Sequence, residues 1–276
     1  MFYKFMKNVL ITGVCGGMGA AAAKLLLQDG YTVYGIDKSD LCAVAGVIYA
    51  KADLTQPKAL DEAAEKFKNV RFDAIAHFAG VYDMNSLIEM SEADFDKIFR
   101  INLFGAFRVN KKFFKQLNAR GRIIITSSEL APLDPLPFTG IYGITKTALE
   151  KYADALRMEV NLLGVSVSVI RPGAVKTNLL GDSTAALDRL CEKTELYSCN
   201  AENFRNIVNS VENKSISPEK VAKTLKKALK AKKPKYVYNL NRNFLLRLLS
   251  ALPKRFQVWI ITKIISDKSS KKQCTR

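Results

Sequence analysis

The sequence predicts an α/β protein, a doubly wound fold whose central parallel sheet is flanked by helices on both faces. Three observations predict it. Over the first 175 residues, short apolar runs alternate with longer segments of helical composition. Buried strands interleaved with amphipathic helices pack as a parallel sheet covered twice, and right-handed crossovers wind it in both directions. A glycine-rich turn, "TGVCGGMG" from Thr12 to Gly19, joins the first apolar run to the first helical one. Finally, 276 residues of which 48% are hydrophobic suffice for one large core.

Each element can be justified in order. "NVLITG" is a short apolar run ending in glycine, and "AAAAKLLLQDG" has helical composition closed by Gly30. "YTVYGID" reads as the second strand and "VIYAKADL" as the third, followed by a helix over 57–67. "FDAIAHFAG" is the fourth strand, and one long helix is expected around "FDKIFRINLFGAFRVNKKFFKQL". Next come the strand "GRIIITSS", a helix bearing Tyr142, and the strand "VSVSVIRPG". Residues 178–216 read as polar and less regular, a mobile substrate flap beside a site. "SPEKVAKTLKKALKAKK" is a capped helix and "KYVYNL" the last strand. Residues 1–240 thus form a single domain, and 241–276 form a basic amphipathic extension.

Composition excludes several chemistries. The five cysteines form no CxxC pair and their number is odd, which argues against a disulfide framework and for reduced thiols in a cytoplasm. No apolar run reaches the length of a bilayer span, and no secretory signal precedes the first strand. A single histidine, His77, rules out a multi-histidine metal site, so no metal is expected. His77 lies inside an apolar run and reads as a strand-end residue with a structural hydrogen bond. A proton must therefore be moved by something else.

Tyr142 and Lys146 stand four residues apart, on one face of a helix. A free phenol has a pKa of about 10, and a nearby ammonium favours the phenolate. At the other end of the fold, glycines in the Thr12–Gly19 turn let the backbone approach a pyrophosphate at a helix N-terminus. The second strand ends at Asp37, where a carboxylate would accept hydrogen bonds from ribose hydroxyls and repel a 2′-phosphate. That favours NAD. Lys38 beside it could tolerate the phosphate, leaving NADP as the alternative.

Together these pieces resemble the short-chain dehydrogenases/reductases, an NAD(P)-binding Rossmann-fold family. The glycine loop matches their TGxxxGxG and Tyr142–Lys146 their YxxxK. "ADL", "HFAG", "INLFG", "ITSS" and "PGAVKT" follow in family order over residues 7–240. The resemblance implies hydride transfer between nicotinamide and a hydroxyl or carbonyl carbon. It implies Tyr142 as general acid/base, with Lys146 depressing its pKa and holding the nicotinamide ribose. Ser128 would bind the substrate oxygen, and Asn102 would help hold a relay water. Cofactor contacts would come from Thr12, Gly13, Gly17, Met18 and Gly19, from Asp37, Asp53 and Leu54, and from Ala79 and Gly80. Tyr142 and Lys146 would add to these, as would Pro172, Gly173, Val175 and Thr177. Two departures stand out. His77 and Phe78 replace the usual asparagines, and Ser128 lies one residue further from Tyr142 than is usual. Ser127 and Glu129 are the alternatives to Ser128.

Charge is concentrated at the end of the chain. Residues 220–276 hold 13 Lys and 4 Arg against one acid, +16 of the net +17. Within them, "NRNFLLRLLSALPKRFQVWIITKIIS" reads as two short amphipathic helices broken at Pro253. Such a segment can lie on an anionic membrane surface, as a peripheral association through 241–266, or pack on the protein or a second subunit; nucleic acid ranks last. The expected function is NAD(H)-dependent interconversion of a secondary alcohol and a ketone, on a steroid-, retinoid- or lipid-like substrate. Sugars, polyols and acyl thioesters are alternative substrates. A non-catalytic dinucleotide sensor and a membrane-associated scaffold are alternative functions. A homodimer or homotetramer is expected, through helices near 92–118 and 141–162.

Overall fold

The computed structural model describes residues 7–212 and 215–266. Among them, seven strands form one sheet in the order β3-β2-β1-β4-β5-β6-β7, every pairing parallel. The strands are β1 (Asn8–Thr12), β2 (Thr32–Asp37), β3 (Ile48–Lys51), β4 (Phe72–His77), β5 (Leu117–Thr126), β6 (Ser166–Pro172) and β7 (Val237–Leu240). Helices α1 (Gly17–Gln28) and α8 (Pro218–Lys230) are among those that cover one face. There Ala22, Leu26, Val221 and Leu225 pack on Val9, Ile11 and Ala74. Helices α2 (Pro57–Lys66), α4 (Gly105–Phe113) and α5 (Gly140–Val160) cover the other, where Phe67, Phe72, Phe113 and Leu149 close the core. All six side chains of β4 are buried, as a strand covered on both faces requires.

The strand order reverses beside β1, between β1 and β4. In open parallel sheets a ligand crevice forms at such a switch point, outside the carboxyl ends of the strands. Thr12, Asp37, His77, Thr126 and Pro172 all end strands there.

Three expectations need correction. The long helix is interrupted: α3 (Glu92–Phe99) passes through a π turn, Arg100–Phe104, into α4. A π turn carries one extra residue, which the 3.6-residue apolar period does not announce. The stretch expected to be irregular holds two helices, α6 (Asn178–Lys193) and α7 (Ser198–Glu212). Their apolar residues Leu187, Leu190, Ala201 and Phe204 pack against Met84 and Phe138. Polar composition hid that narrow stripe. Thiols are also not uniformly reduced: Cys15, Cys42 and Cys191 are free, but Cys199 is disulfide-bonded. An odd count excludes complete pairing, not a single bond.

His77 has the structural bond expected of it. Its Nε2–H donates to Asn110 Oδ1 at 2.9 Å, a direction set by Asn110 Nδ2, which donates to the Tyr152 hydroxyl at 3.0 Å. Burial pulls the imidazole down to about 4, with the Asn110 bond acting in the opposite direction. An unfolded chain binds this proton near pH 6.5 and the folded one resists it to about 4. Stability is therefore complete above the unfolded value and falls as pH drops toward 4, by about 3 kcal/mol from this group. Urea unfolding at pH 7 and pH 4.5 should show a smaller acid loss in His77→Asn than in the wild-type chain. Equal losses would remove His77 from the acid sensitivity.

Candidate active site

The site is built where β1, β4, β5 and β6 release their chains. Gly13 turns the backbone out of β1 at φ +70°, and a Cβ there would stand 2.5 Å from Ala79 N. One at Gly19 would stand 2.1 Å from Gly13 O, and one at Gly17 would meet Thr177 Cγ2 at 2.7 Å. Each is a close approach only glycine allows. The loop then enters α1 at Gly16, which supplies no capping side chain, and the first turn carries no acid. Its positive end is open to an anion. These features fit a dinucleotide pyrophosphate.

Asp37 ends β2 beside this loop. Its Oδ2 accepts from Cys15 N at 3.0 Å, and Oδ1 from Ser39 N and Oγ at 3.1 and 3.0 Å. A carboxylate has about four lone-pair positions, so capacity remains for a ribose hydroxyl. Lys38 is exposed and Asp37 half-buried. Asp53 lies exposed, with Oδ1 accepting from Thr55 N at 2.8 Å, while Leu54 is buried and packs near Gly105.

Toward the other end the loop after β4 meets α5. Asn102, in the π turn, accepts from Val81 N at 2.8 Å and donates to Val81 O and Thr145 Oγ1 at 3.0 and 3.1 Å. It thereby fastens the β4 loop to α5 one residue before Lys146. A Cβ on Gly80 would stand 3.2 Å from Asn102 Oδ1 and 3.4 Å from Lys146 Nζ. The glycine leaves the ammonium its path. Lys146 Nζ donates to Thr126 O at 3.3 Å and lies 5.6 Å from the centre of the Tyr142 ring. Burial pulls the ammonium down to about 8, against the Glu150 carboxylate one turn on. Glu150 itself is held by Arg171 of β6 through two hydrogen bonds, 2.7 and 2.5 Å.

Tyr142 is buried, and its ring lies 4.5 Å from that of Tyr82. Burial pushes its phenol up to about 12, and its hydrogen bond with Ser128 acts the other way. The upward direction differs from the expected depression by Lys146. The ammonium sits over the ring, and the cost of burying a phenolate dominates. Tyr142 is accordingly in its proton-donating form at neutral pH.

The three alternatives, Ser127, Ser128 and Glu129, separate by what they touch. Ser128 meets the Tyr142 hydroxyl, and Ser127 Oγ donates to Lys146 O at 3.4 Å. Glu129 Oε2 accepts from Asn243 N at 2.6 Å. Of the three, Ser128 is the one whose side chain meets the Tyr142 hydroxyl.

A cavity of about 200 Å³ opens over this pair. Met18, Gly80, Ser128, Tyr142, Lys146, Pro172, Gly173, Val175 and Thr177, all among the residues singled out from the sequence, line it. Its apolar wall holds residues that were not named beforehand: Leu130 and Leu136 from the loop after β5, Leu246, and Phe204, Ile207 and Val208 from α7, within the stretch 178–216 expected as a flap beside the site. Phe204, Ile207 and Val208 have the i, i+3, i+4 spacing that could have signalled them.

The chain is similar to known proteins of one family. The family model described as short chain dehydrogenase matches residues 7–188. An uncharacterized short-chain type dehydrogenase/reductase of Sinorhizobium fredii is 30% identical over 228 residues, 80% of this chain and 84% of that protein. Estradiol 17-beta-dehydrogenase 2 of Mus musculus is 32% identical over 192 residues, 63% of this chain but only 50% of the mouse protein. A crystal structure of a short chain dehydrogenase family protein from Francisella tularensis superposes with a TM-score of 0.70 at 24% identity, covering 85% of this chain and 96% of that one.

Proposed function

Since this chain belongs to the short-chain dehydrogenase family, we propose that it is an NAD(H)-dependent oxidoreductase interconverting a secondary alcohol and a ketone on an apolar substrate. The observation that carries the reading is the buried Tyr142 phenol, hydrogen-bonded to Ser128 on the floor of an apolar cavity with Lys146 behind it. A hydride transfer needs a poised proton and a polarised C–O bond, and no nucleophile.

In the reductive direction Tyr142 gives its proton to the substrate oxygen while Ser128 donates a second hydrogen bond to it. In oxidation the same two groups act in reverse. The nicotinamide, when bound, supplies or accepts the hydride. Lys146 presents a cation beside the ring and a donor toward the nicotinamide ribose, and Asn102 holds the two segments that frame it. The relay water expected at Asn102 belongs to the same proposal. Met18, Gly80, Pro172, Gly173, Val175 and Thr177 line the cavity, and the reading gives them the nicotinamide end of the cofactor.

Phenylalanine, isoleucine and valine along the α7 wall support an apolar substrate, and the steroid in the mouse relative's name agrees with that class. Asp37 supports NAD. Turnover of NAD⁺ and NADP⁺ with apolar and polar secondary alcohols tests both halves. NAD⁺ should be preferred, apolar alcohols should turn over faster, and Asp37→Ser should move the cofactor ratio toward NADP⁺ by about tenfold or more, some 1.4 kcal/mol. A wild-type preference for NADP⁺ would overturn the cofactor assignment and direct attention to Lys38.

Self-association follows from the same reading. Phe95, Phe104, Phe107, Ile144, Met158 and Leu162 are large, apolar and exposed on or beside α3–α5. They mark these helices as the face for a homodimer or homotetramer.

A further inference from the structure

The last described segment is a helical hairpin: α9 (Phe244–Ser250) and α10 (Lys254–Ile265), separated at Pro253. Its inner side is fully engaged. Asn243 caps α9 through Oδ1, which accepts from Leu245 N and Leu246 N at 2.9 and 3.3 Å, while its own N–H donates to Glu129. Gln257 clamps the turn by donating to Leu252 O at 2.7 Å, and Asp134 holds the hairpin through Ser250 Oγ and an ion pair with Lys254. Ile261 and Ile265 pack with Phe204. The packing reading of the tail therefore holds for this side.

The outer side has the opposite character. Phe244, Leu245, Leu248, Phe256, Trp259 and Ile264 are each more than half exposed. A monomeric surface rarely keeps so much contiguous apolar area without a use. Residues 241–266 carry five cations and no acid, and the preceding 220–240 add eight lysines. Lys263 Nζ sits 4.6 Å from the centre of the Trp259 ring, so charge and apolar face are interleaved. Among the described residues no helix is long and apolar enough to cross a membrane.

We propose that the α9–α10 hairpin docks this enzyme on an anionic lipid bilayer. Charge decides the occupant. An isologous contact with a second copy would set cation against cation, whereas anionic headgroups neutralise the cations while the aromatic and aliphatic tips enter the acyl boundary. Self-association has its own apolar face on α3–α5. The same hairpin sends Leu246 from its inner side into the cavity above Tyr142, so the element that docks through its outer side also helps to wall the substrate site. Docking brings the cavity close to the bilayer, where a lipid-soluble alcohol is concentrated; this second step rests on the apolar-substrate reading above, and docking itself does not.

The chain has a single tryptophan, Trp259, so intrinsic indole emission reports this patch. Full-length protein should be titrated with phosphatidylcholine vesicles and with vesicles containing about one-third phosphatidylserine, at low salt and at about 0.5 M. The expected result is a blue shift and quenching by brominated lipid with the anionic vesicles, weakened at least about tenfold by salt. The double variant Phe244→Asp, Leu248→Asp should bind anionic vesicles at least about tenfold more weakly, with unchanged NADH binding and unchanged turnover of a water-soluble alcohol. No response to anionic vesicles at low salt would overturn the proposal. So would a shift that follows protein concentration without lipid, which would mean a second copy, or undiminished binding by the double variant. Loss of NADH binding in wild type beside intact vesicle binding would instead sink the oxidoreductase reading.

Discussion

Tyr142→Phe is expected to lower kcat by about 10²- to 10⁴-fold, the range for removing a positioned general acid/base. The substitution deletes one oxygen and keeps the ring. The ring's contacts with Tyr82, Ile98 and Ile141 remain, so a packing collapse is not the cause of the loss. NADH affinity should change by no more than about twofold, because a proton donor acts on the transition state rather than on cofactor binding. Residual activity should also lose the pH dependence that the phenol imposes. Steady-state kinetics beside NADH titration check this directly. Equal kcat in variant and wild type would exclude Tyr142 as the proton donor, whichever substrate is used.

Gly19→Ala should weaken NADH binding by at least about 100-fold, near 2.7 kcal/mol. The added Cβ would lie 2.1 Å from Gly13 O and 3.1 Å from Val14 Cα. Both are backbone atoms, so no flexible side chain can yield, and the loop itself must move. Strain at such a position also lowers stability. Gly143→Ala is the control: nothing lies within 4 Å of its Cβ, and alanine favours helix by up to about 1 kcal/mol. A thermal melt and an NADH titration on both variants separate the cases. If Gly19→Ala keeps wild-type affinity with an intact fold, the loop does not cradle the pyrophosphate.

Much of this was readable before any coordinates. Alternating apolar runs specified six of the strands up to "VSVSVIRPG" and, less strongly, the last one. Asp37 was correctly read as ending the second strand, and Pro253 as breaking the tail into two helices. The π turn holding Asn102 was not legible, since one extra residue barely disturbs a helical apolar pattern. The stretch 178–216 was expected beside the site, but its helices and the apolar face of α7 were not legible, because a few apolar residues in a polar stretch look incidental until Met84 and Phe138 arrive from elsewhere.

What the sequence determined by itself is whatever depends on near neighbours in the chain. Strand and helix order follow from periodicity, the glycine turn from backbone freedom, and the shared face of Tyr142 and Lys146 from helical spacing. Sequence register already favoured Ser128 over Ser127 and Glu129, but the contact of its hydroxyl with that of Tyr142 belongs to the tertiary structure. That structure also decided that burial raises the phenol's pKa despite the nearby lysine, and that Leu246 reaches a site more than a hundred residues away in sequence from Tyr142. Those outcomes depend on desolvation and on contacts between distant segments, and neither quantity exists until the chain has folded.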